Sequence, residues 1–207
     1  SHLGVQPDEV VFTSGGTEAN NLALKGVAFA NKAKGRHIIT SSVEHDSVLN
    51  PCRWLERQGF SVTYLPVDSE GFVDVENIKK EIRKDTILLS LIHANNEIGT
   101  IEPIAEVGAL CHEHNVLFHT DACQSFTKVP LQLQHLPVDL VTLNAHKIYG
   151  PKGVGALVIR DGVSIEPWKH VGGHERGLRS STENIPGIVG FAEAANLSLA
   201  EADHEIK

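Results

Sequence analysis

With 207 residues, the chain has the length for one large α/β domain with a full core or for two small ones. It is 41% hydrophobic and 21% charged, the make-up of an ordinary soluble globular protein. A formal net charge of -8 argues against non-specific nucleic-acid binding and against docking on anionic membranes, and no apolar run is long enough to span a bilayer.

Strand-like and helix-like segments alternate from the start. Val10-Val11-Phe12 reads as a strand, followed by Ser14-Gly15-Gly16-Thr17 and a helical pattern to about Lys34. His37 to Thr40 is the next strand. A helix over about Ser47 to Gln58 ends at Gly59, and Ser61 to Leu65 is a strand. Asp74 caps a helix from Val75 to Arg83. Thr86 to Ile92 is almost continuously apolar and β-branched, as a strand buried on both faces must be. A helix over Ile104 to His114 leads to the strand Val116 to Asp121. Asp139 to Leu143 and Val154 to Ile159 follow, and a last helix runs from about Pro186 to the end. Repeated β-α-β alternation predicts an α/β fold with a mostly parallel sheet and helices on both faces.

Ligands of such sheets bind beyond the carboxyl ends of the strands. The polar residues that stand out fall there: Gly16-Thr17, His45, Asn95-Asn96, Asp121 and His146-Lys147. Lys147 follows a buried strand. Burial there would lower its pKa and free the amine to form a Schiff base, although a lysine in this place is also what a solvated surface would carry. Gly16 and Thr17 open a helix, where free N–H groups attract a phosphate; an ordinary Gly-rich turn capped by Thr17 has the same sequence. The GK[ST] ending of a Walker loop is absent. Asp121 is open to two readings, partner of a protonated pyridine nitrogen or helix N-cap. Gln124 can donate to a phenolic oxygen. His45 is either a ring-stacking proton carrier or part of a capping segment. Cys111-His112-Glu113-His114 with His119 does not have metal-ligand geometry, because neighbours on a helix point apart; no metal is expected. The cysteines, Cys52, Cys111 and Cys123, show no CxxC spacing, which fits a reducing compartment such as the cytoplasm.

Taken in order, these strings resemble a known family. They are Phe12 to Asn21, Val43-Glu44-His45, Asn95 to Gly99, His119 to Gln124, His146 to Gly153 and Gly172 to Asn184. The chain is similar to the fold-type I pyridoxal-phosphate enzymes of the class V aminotransferase group. Within them it looks like the cysteine desulfurases, with selenocysteine lyase close by. The resemblance implies pyridoxal 5'-phosphate as cofactor and L-cysteine as substrate, with sulfur leaving as an enzyme persulfide beside L-alanine. It implies that Lys147 carries the cofactor and moves the substrate Cα proton, with His45 stacked on the ring. Asp121 would pair with the pyridine nitrogen and Gln124 with the phenolic oxygen. Gly16, Thr17 and His146 would hold the phosphate, and Asn96 would lie between cofactor and substrate. Thr182 would reach the phosphate in a partner subunit, which implies a homodimer. A sulfur-acceptor protein, such as an iron–sulfur scaffold, is the implied partner.

Three positions depart from the family pattern. Asn144 stands where a phosphate-binding serine is usual, though its amide can still donate. Ser181 replaces a glycine before Thr182, and Cys123 replaces a smaller residue. None of the cysteines lies in the Ser/Gly-rich mobile loop that carries the family's persulfide. The chain begins at Ser1 and has no methionine. Residues 1–207 are therefore expected to be the cofactor-binding large domain of a longer protein, without its N-terminal segment or C-terminal small domain. Alone, such a domain would lack full desulfurase activity, and a non-catalytic module that binds cofactor, dimerises or docks a partner is the alternative.

Overall fold

In the computed structural model, residues 3–170 and 172–205 are described. Seven strands form one sheet: β1 (Val10–Thr13), β2 (His37–Ser41), β3 (Ser61–Leu65), β4 (Thr86–Ile92), β5 (Leu117–Asp121), β6 (Leu140–Asn144) and β7 (Gly155–Ile159). Their order is β1-β7-β6-β5-β4-β2-β3. β7 runs antiparallel to both β1 and β6, and the other pairings are parallel. The mostly parallel α/β sheet read from the sequence is therefore present. All seven residues of β4 are buried, because this strand lies between β2 and β5 and is covered on both faces.

Five helices cover the sheet: α1 (Gly16–Asn31), α2 (Asp46–Arg57), α3 (Val75–Glu81), α4 (Ile104–Glu113) and α5 (Ile185–Glu205). Alternation along the strands sends side chains into two cores. Ile38, Leu88, Leu140 and Leu157 meet Leu22, Val27, Val48 and Leu55 of α1 and α2. Ile39, Leu89, Val141 and Val158 meet Ile78, Val107 and Phe191 of α3, α4 and α5. Each of these fully buried Leu or Ile side chains stabilises the fold by roughly 1.5–3 kcal/mol.

The helix ends differ from the sequence reading in ways that local chemistry explains. α1 stops at Asn31, not Lys34, because the chain turns there, with the N–H groups of Lys34 and Gly35 donating to Asn31 O. Gly35 then passes so close to Asp85 that a Cβ would lie 2.2 Å from its carbonyl oxygen. α2 begins a residue early, with His45 as its cap, and α3 ends at Glu81, its Asp74 cap accepting from Glu76 N at 2.9 Å. The end of the last predicted helix, Ile206-Lys207, lies outside the described residues.

Two buried histidines tie the strands together. His37 bonds Thr86 at 2.7 Å and Thr63 at 2.9 Å, and His119 bonds Ser90 at 2.8 Å and Thr142 at 3.0 Å. Burial pushes the pKa of each down to about 4. Both ring nitrogens of His119 are thus committed to the sheet, and Cys111 is packed in the core.

Candidate active site

The carboxyl ends of the parallel strands meet at one cavity of about 210 Å³. It is lined by Gly16 and Thr17 at the start of α1, by His45 and Ser47 at the start of α2, and by Ile92 and Asn96 after β4. Asp121, Cys123 and Gln124 come from the end of β5, and Asn144, His146 and Lys147 from the end of β6. The sequence-predicted site residues therefore converge, with the exception of Thr182. Thr182 is exposed on the segment that leads into α5 and lies outside the cavity.

α1 opens at Gly16, with Gly15 as its cap and no side-chain cap bond, so Thr17 is not the N-cap. The first N–H groups of the helix stay free for a ligand. Gly16 faces the cavity so closely that a Cβ there would lie 2.6 Å from Cys123 Sγ and 3.2 Å from Asn144 Nδ2. Asn144 Oδ1 is buried without a hydrogen-bond partner. Its amide nitrogen, beside Gly16, adds a donor to the helix start.

Asp121 is 3% exposed, and both its oxygens are held. Oδ1 accepts from Cys123 N at 2.9 Å and Oδ2 from Asn20 Nδ2 at 2.7 Å. His45 caps α2, and its Nδ1 accepts from Ser47 N at 3.1 Å. His45 thus caps α2 and also lines the cavity.

Of the two surroundings open to Lys147, burial and a solvated surface, the structure has the second. Lys147 lies in a single 3-10 turn, Ala145–Ile148, and is exposed. The turn lifts it off the end of β6 into the cavity mouth. Tyr149 closes the turn in the left-handed region at φ 62° and is 93% exposed. Beside Lys147, the pKa of His146 is pushed down by lost solvation and then by the charges of Lys147 and Lys152.

Sequence reasoning missed Asn20 and Ser47. The signal for Asn20 was its helical spacing to Gly16, Ala23, Leu24 and Val27, which puts a polar side chain on the apolar stripe of α1. It also passed over Glu44, which is buried beneath His45 and accepts from Ile92 N at 2.9 Å and from Ser41 Oγ at 2.7 Å. Burial raises its pKa to about 8, against those two hydrogen bonds, with Asp121 and Glu102 adding a smaller push upward.

The family model described as "Aminotransferase class-V" matches residues 1–206. The chain belongs to the class-V aminotransferase family. It is 56% identical to the cysteine desulfurase IscS of Dictyoglomus turgidum over 205 residues, which is 99% of this chain and 52% of that protein. Among solved structures, a NifS-like protein superposes with a TM-score of 0.95 at 46% identity, over 98% of this chain and 56% of the other. SspA in complex with cysteine superposes with a TM-score of 0.91 at 45% identity, over 94% of this chain and 57% of the other. This member of the family spans about half the length of the curated relatives it matches. Among the described residues, no helix is long and apolar enough to cross a membrane.

Proposed function

We propose that this chain forms the pyridoxal-phosphate-binding core of a cysteine desulfurase, which takes sulfur from L-cysteine and leaves L-alanine. The observation that carries the reading is the convergence of an amine, a buried carboxylate, a histidine and a helix start on one cavity.

The lining fits the cofactor. The free N–H groups of α1, the Thr17 hydroxyl, the Asn144 amide and His146 make a donor cluster suited to a phosphate. The Gly16 cradle, which a Cβ would fill, keeps that cluster open. Asp121 offers a fixed negative charge for a protonated ring nitrogen, and Gln124 a donor for the phenolic oxygen. When bound, pyridoxal phosphate supplies a carbonyl carbon that reacts with amines and a cationic ring that draws electrons from the substrate Cα.

The residues of the chain have separate tasks. Lys147 Nζ would hold the cofactor and serve as the base for the Cα proton. His45 would lie against the cofactor ring and carry protons. Asn96 orients the substrate. SspA, solved with cysteine, supports this substrate class.

The sulfur needs a thiolate to attack it. Burial first, with a smaller push from nearby carboxylates, raises Cys52 and Cys111 to about 12. Burial and then Asp121 raise Cys123 as well. Thiols raised in this way are poorly suited to the attack, which supports a sulfur-accepting cysteine outside residues 1–207. Thr182 is exposed and outside the cavity, which supports a role at a partner subunit's cofactor in a homodimer. An iron–sulfur scaffold or another acceptor protein takes the sulfur onward in a reducing compartment.

The full-length protein, incubated with cysteine under reducing conditions, should form alanine and sulfide. Lys147→Ala should lose both the products and the visible absorbance of lysine-bound pyridoxal phosphate. Lack of alanine from the parent protein would overturn the reading.

A further inference from the structure

Asn20 is a polar side chain with no solvent exposure, placed on α1 behind the cavity. Its amide nitrogen donates to Asp121 Oδ2 at 2.7 Å and to Ser47 Oγ at 2.8 Å. A carboxylate only accepts, so the nitrogen of the amide must face Asp121. That orientation leaves Asn20 Oδ1 buried without a hydrogen-bond partner. An unpaired buried carbonyl costs stability, and a leucine of similar size would carry no such cost. The position is therefore held for what its nitrogen does.

Ser47 passes the effect on. Its Oγ accepts from Asn20, which directs its own proton to its other neighbour, His45 Nδ1, at 2.8 Å. The Ser47 backbone N–H points at the same ring nitrogen at 3.1 Å. With two donors aimed at Nδ1, the ring proton belongs on Nε2.

We propose that Asn20 and Ser47 are positioning residues, which link Asp121 to His45 and fix the His45 proton on Nε2. The inference rests on the reading of this cavity as a cofactor site, where Asp121 and His45 serve the same ring. Its consequence is that His45 meets a molecule in the cavity as a donor. Asp121 is oriented by the same amide, so the two groups are set by one network rather than separately.

The test is the rate at which diethyl pyrocarbonate modifies His45, mapped by peptide mass spectrometry on the full-length protein stripped of cofactor. The reagent needs an unprotonated nitrogen. Ser47 shields Nδ1, so reaction at this exposed ring requires the tautomer with its proton on Nδ1. Ser47→Ala should raise the rate about fivefold, the worth of one net hydrogen bond. Ser47→Thr keeps the hydroxyl and should return the parent rate. Asn20→Leu should also raise it, because the Ser47 proton is then no longer directed. Equal rates in Ser47→Ala and the parent would overturn the proposal, as would a Ser47→Thr rate matching that of Ser47→Ala. The buried His119 reports folding in each sample. If Asn20→Leu exposes it, Ser47→Ala and Ser47→Thr decide alone. Failure to take up pyridoxal phosphate would instead overturn the functional reading, since the His45 rates are measured without cofactor.

Discussion

Replacing Glu44 by glutamine should make the protein's stability less sensitive to alkaline pH. Glu44 is a fully buried carboxyl whose pKa is raised from 4.5 to about 8, chiefly by burial. Between those two values the folded state holds a proton that the unfolded state releases. Stability is therefore lost as pH rises through this window, at about 1.4 kcal/mol per pH unit. Glutamine has nearly the same shape, and its Oε1 can still accept from Ile92 N and Ser41 Oγ. Its amide group takes the place of Glu44 Oε2, which is buried without a partner, at a cost of roughly 1–3 kcal/mol. That cost does not depend on pH. Denaturant unfolding of parent and Glu44→Gln at pH 5.5 and 7.5 isolates the effect, because the buried His37 and His119 are present in both proteins and cancel. The variant should gain about 3 kcal/mol on the parent between these two pH values, two units at the rate above. A stability difference that stays constant between them would refute the assignment of a buried, protonated Glu44.

Two further substitutions test the site and its support. Gly16→Ala should cost about 1–3 kcal/mol through the clash with Cys123 Sγ at 2.6 Å, partly offset by better helix propensity, and should weaken pyridoxal-phosphate binding. Adding Cys123→Ala should recover part of the stability, so a double-mutant cycle by thermal unfolding with a coupling near zero would contradict the close approach. Glu18 ties Lys169 and Arg179 to α1 and accepts from Ser14 N at 2.7 Å. Burial works to raise its pKa, but Arg179, Ser14 and Lys169 outweigh it and hold the carboxyl at about 2. Its stabilisation is present above pH 4.5 and is lost as pH falls towards 2. Glu18→Gln should therefore destabilise by about 1–3 kcal/mol at neutral pH, with the deficit fading in acid, as followed by unfolding across pH.

Much of the architecture was legible because strand and helix periods are local. The nearly continuous apolar run Thr86 to Ile92 fits a strand buried on both faces, and β4 is that strand. The convergence of the candidate residues on one cavity was legible for a related reason. In a parallel sheet every strand ends on the same side, so polar residues just after strands are brought together by topology alone. Helix ends were less legible, since they depend on contacts such as that of Gly35 with Asp85, which lies 50 residues away. For Lys147 the sequence left burial and exposure both open, because a strand pattern does not reveal the 3-10 turn that lifts it to the surface.

The sequence by itself determined which elements form, which of them are buried and which polar groups end at the same edge of the sheet. All of these follow from spacing along the chain. The tertiary structure alone decided how those groups are held. Asp121 and Asn20 are 101 residues apart, and Asn20 and Ser47 are 27 apart, yet one amide joins all three. Glu44 and Ile92 N meet across 48 residues. Hydrogen bonds at these separations depend on the order β1-β7-β6-β5-β4-β2-β3 and on the packing of α1 against α2. Directional bonds need atoms placed to within a few tenths of an ångström, and only the packed fold supplies that placement.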